Sequence, residues 1–237
     1  MEDKVVMITG ASRGIGEAVA LEFAKRKAKI VLVARTPEDL ERVRGRVLDA
    51  GAEDVLTITT DISKEEEVEV MLDVTLSRFG RVDILVNNAG VGYFKPVVDT
   101  TLSEWQTMFD VNVTGLFLCT RGVLPKMLEQ GSGHIINISS DVGRRTIAGG
   151  AGYCATKFAV QAFADALRKE VQRQGIKVTN ILPGMTDTYF ANSEQGAEHK
   201  RDWLKAEDIA RAVLYAASQP PGVLVDDITL HPMVQEY

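Results

Sequence analysis

Tyr153 and Lys157 stand four residues apart in Gly149-Gly150-Ala151-Gly152-Tyr153-Cys154-Ala155-Thr156-Lys157-Phe158-Ala159, a segment that opens a helix running to about Arg173. An i, i+4 spacing stacks both side chains on one helix face, so an ammonium can lie beside a phenol and lower a pKa that starts near about 10. A phenol tuned in this way can donate or accept a proton beside a carbonyl. The same spacing also occurs on ordinary solvated helices, so it gains meaning only in company. Ile135-Ile136-Asn137-Ile138-Ser139-Ser140 reads as a buried strand ending in two hydroxyls. Either can bond a substrate oxygen, and serine also ends strands by turn chemistry. Asn112, flanked by Val111 and Val113 in an amphipathic helix, needs a buried partner for its amide.

A second constellation opens the chain. The apolar strand Val5 to Thr9 runs into Gly10-Ala11-Ser12-Arg13-Gly14-Ile15-Gly16 and then a helical run from Glu17 to Arg26. Glycines let backbone approach a pyrophosphate closely, and the free amides of a helix N-terminus favour negative charge. The spacing Gly-x-x-x-Gly-x-Gly matches the general dinucleotide fingerprint only in part. At the end of the second strand, Val33-Ala34-Arg35 places no carboxylate where a dinucleotide fold would use one on the adenosine ribose. Arg35 and Arg13 can instead form charge-assisted hydrogen bonds to a 2′-phosphate. NADP(H) rather than NAD(H) is the expectation, with two solvated surface arginines as the other reading.

These residues need a scaffold, and the hydropathy pattern supplies one. Seven short runs, Val5 to Thr9, Lys29 to Ala34, Val55 to Thr60, Val82 to Asn87, His134 to Ser139, Lys177 to Leu182 and Val223 to Leu230, read as strands separated by helical segments. Mostly apolar strands imply a sheet covered on both faces, hence a doubly wound α/β fold with a seven-stranded parallel sheet. Ser63 with Glu66 predicts a capping box for a helix over Lys64 to Arg78, ended by Gly80. No repeat or linker divides the 237 residues, which are expected to form one dinucleotide-binding and catalytic domain. The irregular stretch 185–203 follows a strand and is expected to be a substrate lid.

Composition excludes other classes. The chain carries a net charge of −6 without a basic run, which disfavours nucleic-acid binding. Its apolar runs fall short of the roughly 18 residues of a membrane span. No secretory leader pattern is visible, so a cytoplasmic location is expected. Cys119 and Cys154 make no disulfide framework, and they show no metal-ligand spacing with His134, His199 and His231, so no metal is expected.

Taken together, the chain resembles the short-chain dehydrogenase/reductase family, in its NADP-preferring subgroup, over nearly its whole length. The matches run in family order: Thr9-Gly10-Ala11-Ser12-Arg13-Gly14-Ile15-Gly16, Asp61, Asn87-Asn88-Ala89-Gly90, Asn112, Ser140, Tyr153-x-x-x-Lys157 and Pro183-Gly184. The resemblance implies a Rossmann fold and hydride transfer between NADP(H) and a secondary alcohol or ketone of a small substrate. It implies that Tyr153 is the acid-base residue, that Ser140 holds the substrate oxygen, and that Lys157 binds the nicotinamide ribose and lowers the tyrosine pKa. Asn112 would keep a water for a proton relay. The cofactor contacts implied are Gly10, Ser12, Arg13, Gly14, Ile15, Gly16, Arg35, Asp61, Ile62, Asn88, Ala89, Gly90, Pro183, Gly184, Thr186 and Thr188, besides Tyr153 and Lys157. A homo-oligomer, tetramer or dimer, is the family expectation, with the helices bearing Asn112 and Tyr153 at its interfaces.

The carboxyl end, Gly222-Val223-Leu224-Val225-Asp226-Asp227-Ile228-Thr229-Leu230-His231-Pro232, departs from the fatty-acid-synthesis reductases of that family and looks more like its branch acting on hydroxy amino acids and small hydroxy acids. A 3-hydroxy acid or hydroxy amino acid is therefore the expected substrate, and an acyl-carrier-protein reductase is the alternative. Arg144-Arg145 could draw in a carboxylate or form a solvated loop. Tyr93 and Phe94 could line the pocket or belong to the core. A non-catalytic NADPH-binding subunit or redox sensor is the reading from another class.

Overall fold

The computed structural model describes residues 1–236. Its main sheet comprises β1 (Val5–Thr9), β2 (Lys29–Ala34), β3 (Asp54–Thr59), β4 (Ile84–Asn87), β5 (Gly133–Ile138), β6 (Ile176–Pro183) and, after two short strands β7 (Thr186–Asp187) and β8 (Leu204–Lys205), β9 (Asp227–Leu230). The order is β3-β2-β1-β4-β5-β6-β9, with every neighbouring pair parallel. This is the seven-stranded doubly wound Rossmann sheet expected from the sequence. The helices are α1 (Gly14–Ala24), α2 (Pro37–Asp49), α3 (Glu65–Phe79), α4 (Leu102–Phe109), α5 (Leu116–Gln130), α6 (Ala151–Val171) and α7 (Ala206–Ala217).

Strand alternation divides the core between the two faces. Val6 and Ile8 of β1 join Phe23 of α1, Leu40 of α2 and Val213 of α7, whereas Val5 and Met7 join Leu72 of α3, Val123 of α5 and Leu167 of α6. Because both faces are covered, all of β1 and β4 is buried. Among the described residues, no helix is long and apolar enough to cross a membrane.

Four strands share a ladder of polar side chains, three of them buried and the last, Asp227, partly exposed. Asn87, Asn137, Asn180 and Asp227 occupy equivalent register positions on β4, β5, β6 and β9. The Asn87 amide donates to Asn137 Oδ1 at 3.0 Å, Asn137 donates to Asn180 Oδ1 at 3.1 Å, and Asn180 donates to Asp227 Oδ1 at 3.0 Å. A slip of one strand would leave these amides buried without partners, at a cost larger than the gain from any single bond.

The structure corrects three local expectations. The capping box from Ser63 and Glu66 does not form: α3 begins at Glu65 without a side-chain cap, because the nearer Asp61 carboxylate accepts the Ser63 amide and hydroxyl at 3.0 and 2.7 Å. A capping box forms instead at α4, between Thr101 and Glu104. The single amphipathic helix expected around Asn112 is interrupted by a π-turn, Asp110–Gly115, between α4 and α5. Finally, the stretch 185–203 is not wholly irregular, since β7 at its start pairs with β8 just beyond it.

The ladder yields a stability prediction. Asn137→Val leaves Asn180 Oδ1 without its donor and takes one of two acceptors from Asn87, which keeps its bond to Thr120, and should cost about 2 kcal/mol, because each buried unsatisfied group costs about 1–3 kcal/mol. A urea melt of parent and variant measures it, and equal midpoints would show that the ladder contributes nothing.

Candidate active site

All carboxyl ends of a parallel sheet lie on one edge, and the candidate residues gather there. Just beyond β5, Ser140 enters the short turn Asp141–Gly143, and Tyr153 and Lys157 project from the first two turns of α6. All three are buried. Lys157 Nζ donates to the Ile138 carbonyl at 2.9 Å, which ties α6 to the end of β5, and lies 5.6 Å from the centre of the Tyr153 ring.

The expected lowering of the tyrosine pKa by lysine is not what this arrangement produces. Burial pushes Tyr153 above its ordinary value, with the neighbouring Ser140 hydroxyl pulling the other way and the Asp141 carboxylate adding to the rise. Burial also pulls the Lys157 ammonium down to about 8. The reason is common to both: a site excluded from water penalises the phenolate and the ammonium alike. The ammonium is directed to the Ile138 carbonyl. The phenol accordingly holds its proton.

Asn112 finds the buried partner its position demanded. Its Oδ1 accepts the Val91 amide at 2.8 Å, and its Nδ2 donates to the Val91 carbonyl at 2.8 Å and to Thr156 Oγ1 at 3.0 Å. The π-turn thereby clamps the loop after β4 to α6 one residue before Lys157. The Gly90 backbone lies in the same knot, close to Asn112 Oδ1 and Lys157 Nζ.

Asp141, Thr156 and Gln235 were not singled out in the sequence. Ser140 Oγ donates to Asp141 Oδ1 at 3.1 Å and lies 3.4 Å from the Pro183 carbonyl. Burial opposes charge on Asp141, but hydrogen bonds from Arg145, Gln235 and Ser140 outweigh it and hold the carboxyl below the usual range. Gln235 donates to Asp141 Oδ2 at 2.7 Å and accepts the Met185 amide at 2.8 Å, so the chain's end fastens the start of the expected lid to the turn after Ser140. Asp141 is adjacent to a candidate residue and so was legible in principle. Gln235 is 94 residues from Asp141, and only folding brings them together.

At the other end of the same edge lies the glycine turn. Gly10 has φ +65°, and a Cβ there would come within 2.8 Å of Ala89, so only glycine lets β1 and the loop after β4 meet. Asn88 secures that contact by donating to the carbonyls of Thr9 and Gly10 at 3.0 Å each. Gly14 and Ile15 begin α1, and Gly16 packs against Gly10 and Asn88. Thr188 lies over Gly14, and the Arg13 guanidinium sits 5.3 Å from the Tyr189 ring, so the expected lid touches the glycine turn. Beside the turn is a cleft of about 470 Å³ lined by Arg13, Gly14, Glu17, Arg42, Arg46 and Tyr189. Arg35 is exposed, and its charge helps to hold the Asp61 carboxyl below its ordinary value against the opposing effect of burial. Ile62 is buried against Gly115. A helix N-terminus cleared of side chains, flanked by Arg13 and Arg35, fits a dinucleotide bearing an extra phosphate.

At the remaining positions, Pro183 ends β6, the Gly184 amide donates to the Leu230 carbonyl at 2.8 Å, and Thr186 Oγ1 donates to the Gly184 carbonyl at 2.9 Å. The Thr188 carbonyl accepts the buried Lys200 ammonium at 2.9 Å. Phe94 lies against Tyr153, and Tyr93 packs on the small cluster around it. Arg144 and Arg145 are ion-paired with Asp227 and Asp141. Among the described residues, no group of three or more His, Cys, Asp or Glu side chains is placed to hold a metal ion.

The Asn112 knot is testable by itself. Asn112→Ala leaves the Val91 amide and carbonyl without their partner and should destabilise the chain by about 2–4 kcal/mol. Denaturant unfolding with parallel activity measurements checks it, and unchanged stability would exclude the clamp.

Comparison with known proteins agrees with this geometry. Residues 4–199 match the family described as short chain dehydrogenase. An oxidoreductase of Staphylococcus aureus, itself uncharacterized, is 39% identical over 233 residues, 98% of this chain and 99% of the relative. The solved alcohol dehydrogenase of the archaeon Thermococcus sibiricus, complexed with 5-hydroxy-NADP, superposes with a TM-score of 0.94 at 35% identity, covering 100% of this chain and 99% of that one. Serine dehydrogenase from Escherichia coli gives a TM-score of 0.87 at 32% identity over 98% and 100% of the two chains. The chain belongs to the short-chain dehydrogenase/reductase family of oxidoreductases.

Proposed function

We propose that the chain interconverts a ketone and the corresponding secondary alcohol on a small molecule, with Tyr153 as the group that gives and takes the proton. The observation that carries this reading is the buried convergence of Ser140, Tyr153 and Lys157 at the carboxyl edge of β5, with Lys157 Nζ 5.6 Å from the phenol ring. When bound, NADP(H) would supply the hydride to the carbonyl carbon, or accept it in the reverse direction.

The chain's own residues handle the oxygen. A protonated phenol is the form needed to donate to a carbonyl oxygen as that oxygen gains electrons, and burial keeps Tyr153 in that form. Ser140 can turn its hydroxyl from Asp141 toward the same oxygen and stabilise the charge developing on it. Lys157 would bind the nicotinamide ribose. Asn112 holds the loop after β4 against α6, and by its place in the family pattern it would keep the water through which Tyr153 recovers its proton.

The cofactor's place follows from the remaining residues. Gly10, Ser12, Gly14, Ile15 and Gly16 would face the pyrophosphate, and Arg13 with Arg35 the 2′-phosphate. Asp61 and Ile62 would meet the adenine. Asn88, Ala89 and Gly90 would flank the adenosine ribose, and Pro183, Gly184, Thr186 and Thr188 would meet the nicotinamide end. The segment 185–203 would act as the lid, already in contact with the glycine turn through Thr188 and Tyr189.

Two measurements test these assignments. Tyr153→Phe should lower kcat for ketone reduction by at least the roughly 10²–10⁴-fold typical of a lost acid-base group, while the NADPH Kd from fluorescence titration stays near the parental value. Retained turnover would dismiss the phenol. Removing both Arg13 and Arg35 as alanines should weaken NADPH by about 100-fold or more with NADH little changed, since each charged hydrogen bond contributes about 1.5–3 kcal/mol. An equal loss for both cofactors would place the phosphate elsewhere.

A further inference from the structure

Two rings from distant parts of the chain cover Tyr153. Phe94, from the loop after β4, meets it edge-on with centroids 5.2 Å apart, and Phe190, from the segment 185–203, lies 5.3 Å away. The two covering rings also meet each other, at 6.3 Å. Their convergence depends on Gly92, where a Cβ would come within 2.7 Å of Phe190 and 3.2 Å of Phe94. Val91, Tyr93 and Val142 complete the wall. Phe94 remains 44% exposed, so a large apolar face is left at the mouth of the site.

The charges near the reacting position point the same way. Ser140 donates to Asp141, whose buried carboxylate is already bonded by Arg145 and Gln235. Arg144 and Arg145, the cations that follow Ser140 in the chain, are bonded to Asp227 and Asp141, and the Lys157 ammonium is tied to the Ile138 carbonyl. Apolar walls cannot replace the hydration of a carboxylate, whereas a ring resting on the exposed face of Phe94 would add one more of the contacts that aromatic pairs favour at about 4.5–7 Å.

We propose that the substrate is an uncharged ketone or secondary alcohol bearing an aryl group, or an apolar group of similar breadth, on one side of the reacting carbon, resting against the exposed face of Phe94 beside Phe190. The inference rests on the reading of Tyr153 as proton donor. It turns away from the hydroxy acids suggested by the chain's carboxyl end.

The test compares three ketones with NADPH: ethyl 3-oxo-3-phenylpropanoate, ethyl 3-oxobutanoate and free 3-oxobutanoate. The parent enzyme should show kcat/KM at least about tenfold higher for the phenyl ester than for the methyl-ketone ester, and at least about tenfold higher for that ester than for its acid. Phe94→Ala and Phe190→Ala should each cut the phenyl-to-methyl preference by about fivefold or more, chiefly through KM, with Phe→Leu at the same positions restoring part of it. An acid turned over as well as its ester overturns the proposal, and so does a ring preference identical in parent and both alanine variants. Charge and ring preferences are read on the parent itself, so a variant that fails to fold leaves both decided. Turnover of the acid alone sinks this inference and leaves the hydride-transfer reading intact. No oxidation of bound NADPH by any of the three sinks that reading and this one together.

Discussion

The row of side chains Asn87, Asn137, Asn180 and Asp227 is the constraint on which the site depends. Amides buried at a strand register need partners, and here each side chain of the row bonds the next strand's. The ladder sits at or just before the carboxyl ends of β4 and β5. Once the register is set, Asn88 to Gly90 leave β4 and Ser139 and Ser140 leave β5 side by side. The last rung, Asp227, is also ion-paired with Arg144, four residues after Ser140. Strand pairing and site geometry are thus one problem, solved by the same four residues.

Burial does the next part of the work. Tyr153 and Lys157 lie where water is excluded, and exclusion keeps the phenol protonated while weakening the hold of the ammonium on its proton. For this pair burial is the larger influence on both acidities. The ammonium is steered to the Ile138 carbonyl, and its service to the site is as much to join α6 to β5 as to provide charge.

A third layer holds the mobile-looking parts in place. The segment after β6 carries its own two-stranded pairing, and Lys200 is buried within it against the carbonyls of Thr188 and Glu194. Gln235 couples its first residue, Met185, to Asp141 beside the serine. The outcome is a cover of defined shape over Tyr153, lined by Phe190 and faced by Phe94. A cover with internal hydrogen bonds can select by shape and polarity, whereas a disordered loop would select weakly.

The sequence alone determined the seven strands and their parallel arrangement and singled out the glycine turn, Tyr153 and Lys157 as candidates, because apolar runs and fixed spacings are local properties that survive without coordinates. Strand edges were readable to within a few residues: β4 starts at Ile84 rather than Val82 and β9 at Asp227 rather than Val223. Local rules failed where two groups competed for one partner. Ser63 chose Asp61 over the helix amides, and Asn112 opened a π-turn to reach Val91 and Thr156. Only the tertiary structure decided the acidity of Tyr153, the pairing of Arg144 and Arg145, the anchoring of the chain's end by Gln235 and the meeting of Phe94 with Phe190. Each of these is a contact between segments distant in sequence or a consequence of dielectric surroundings, and neither is written in the spacing of residues along a chain.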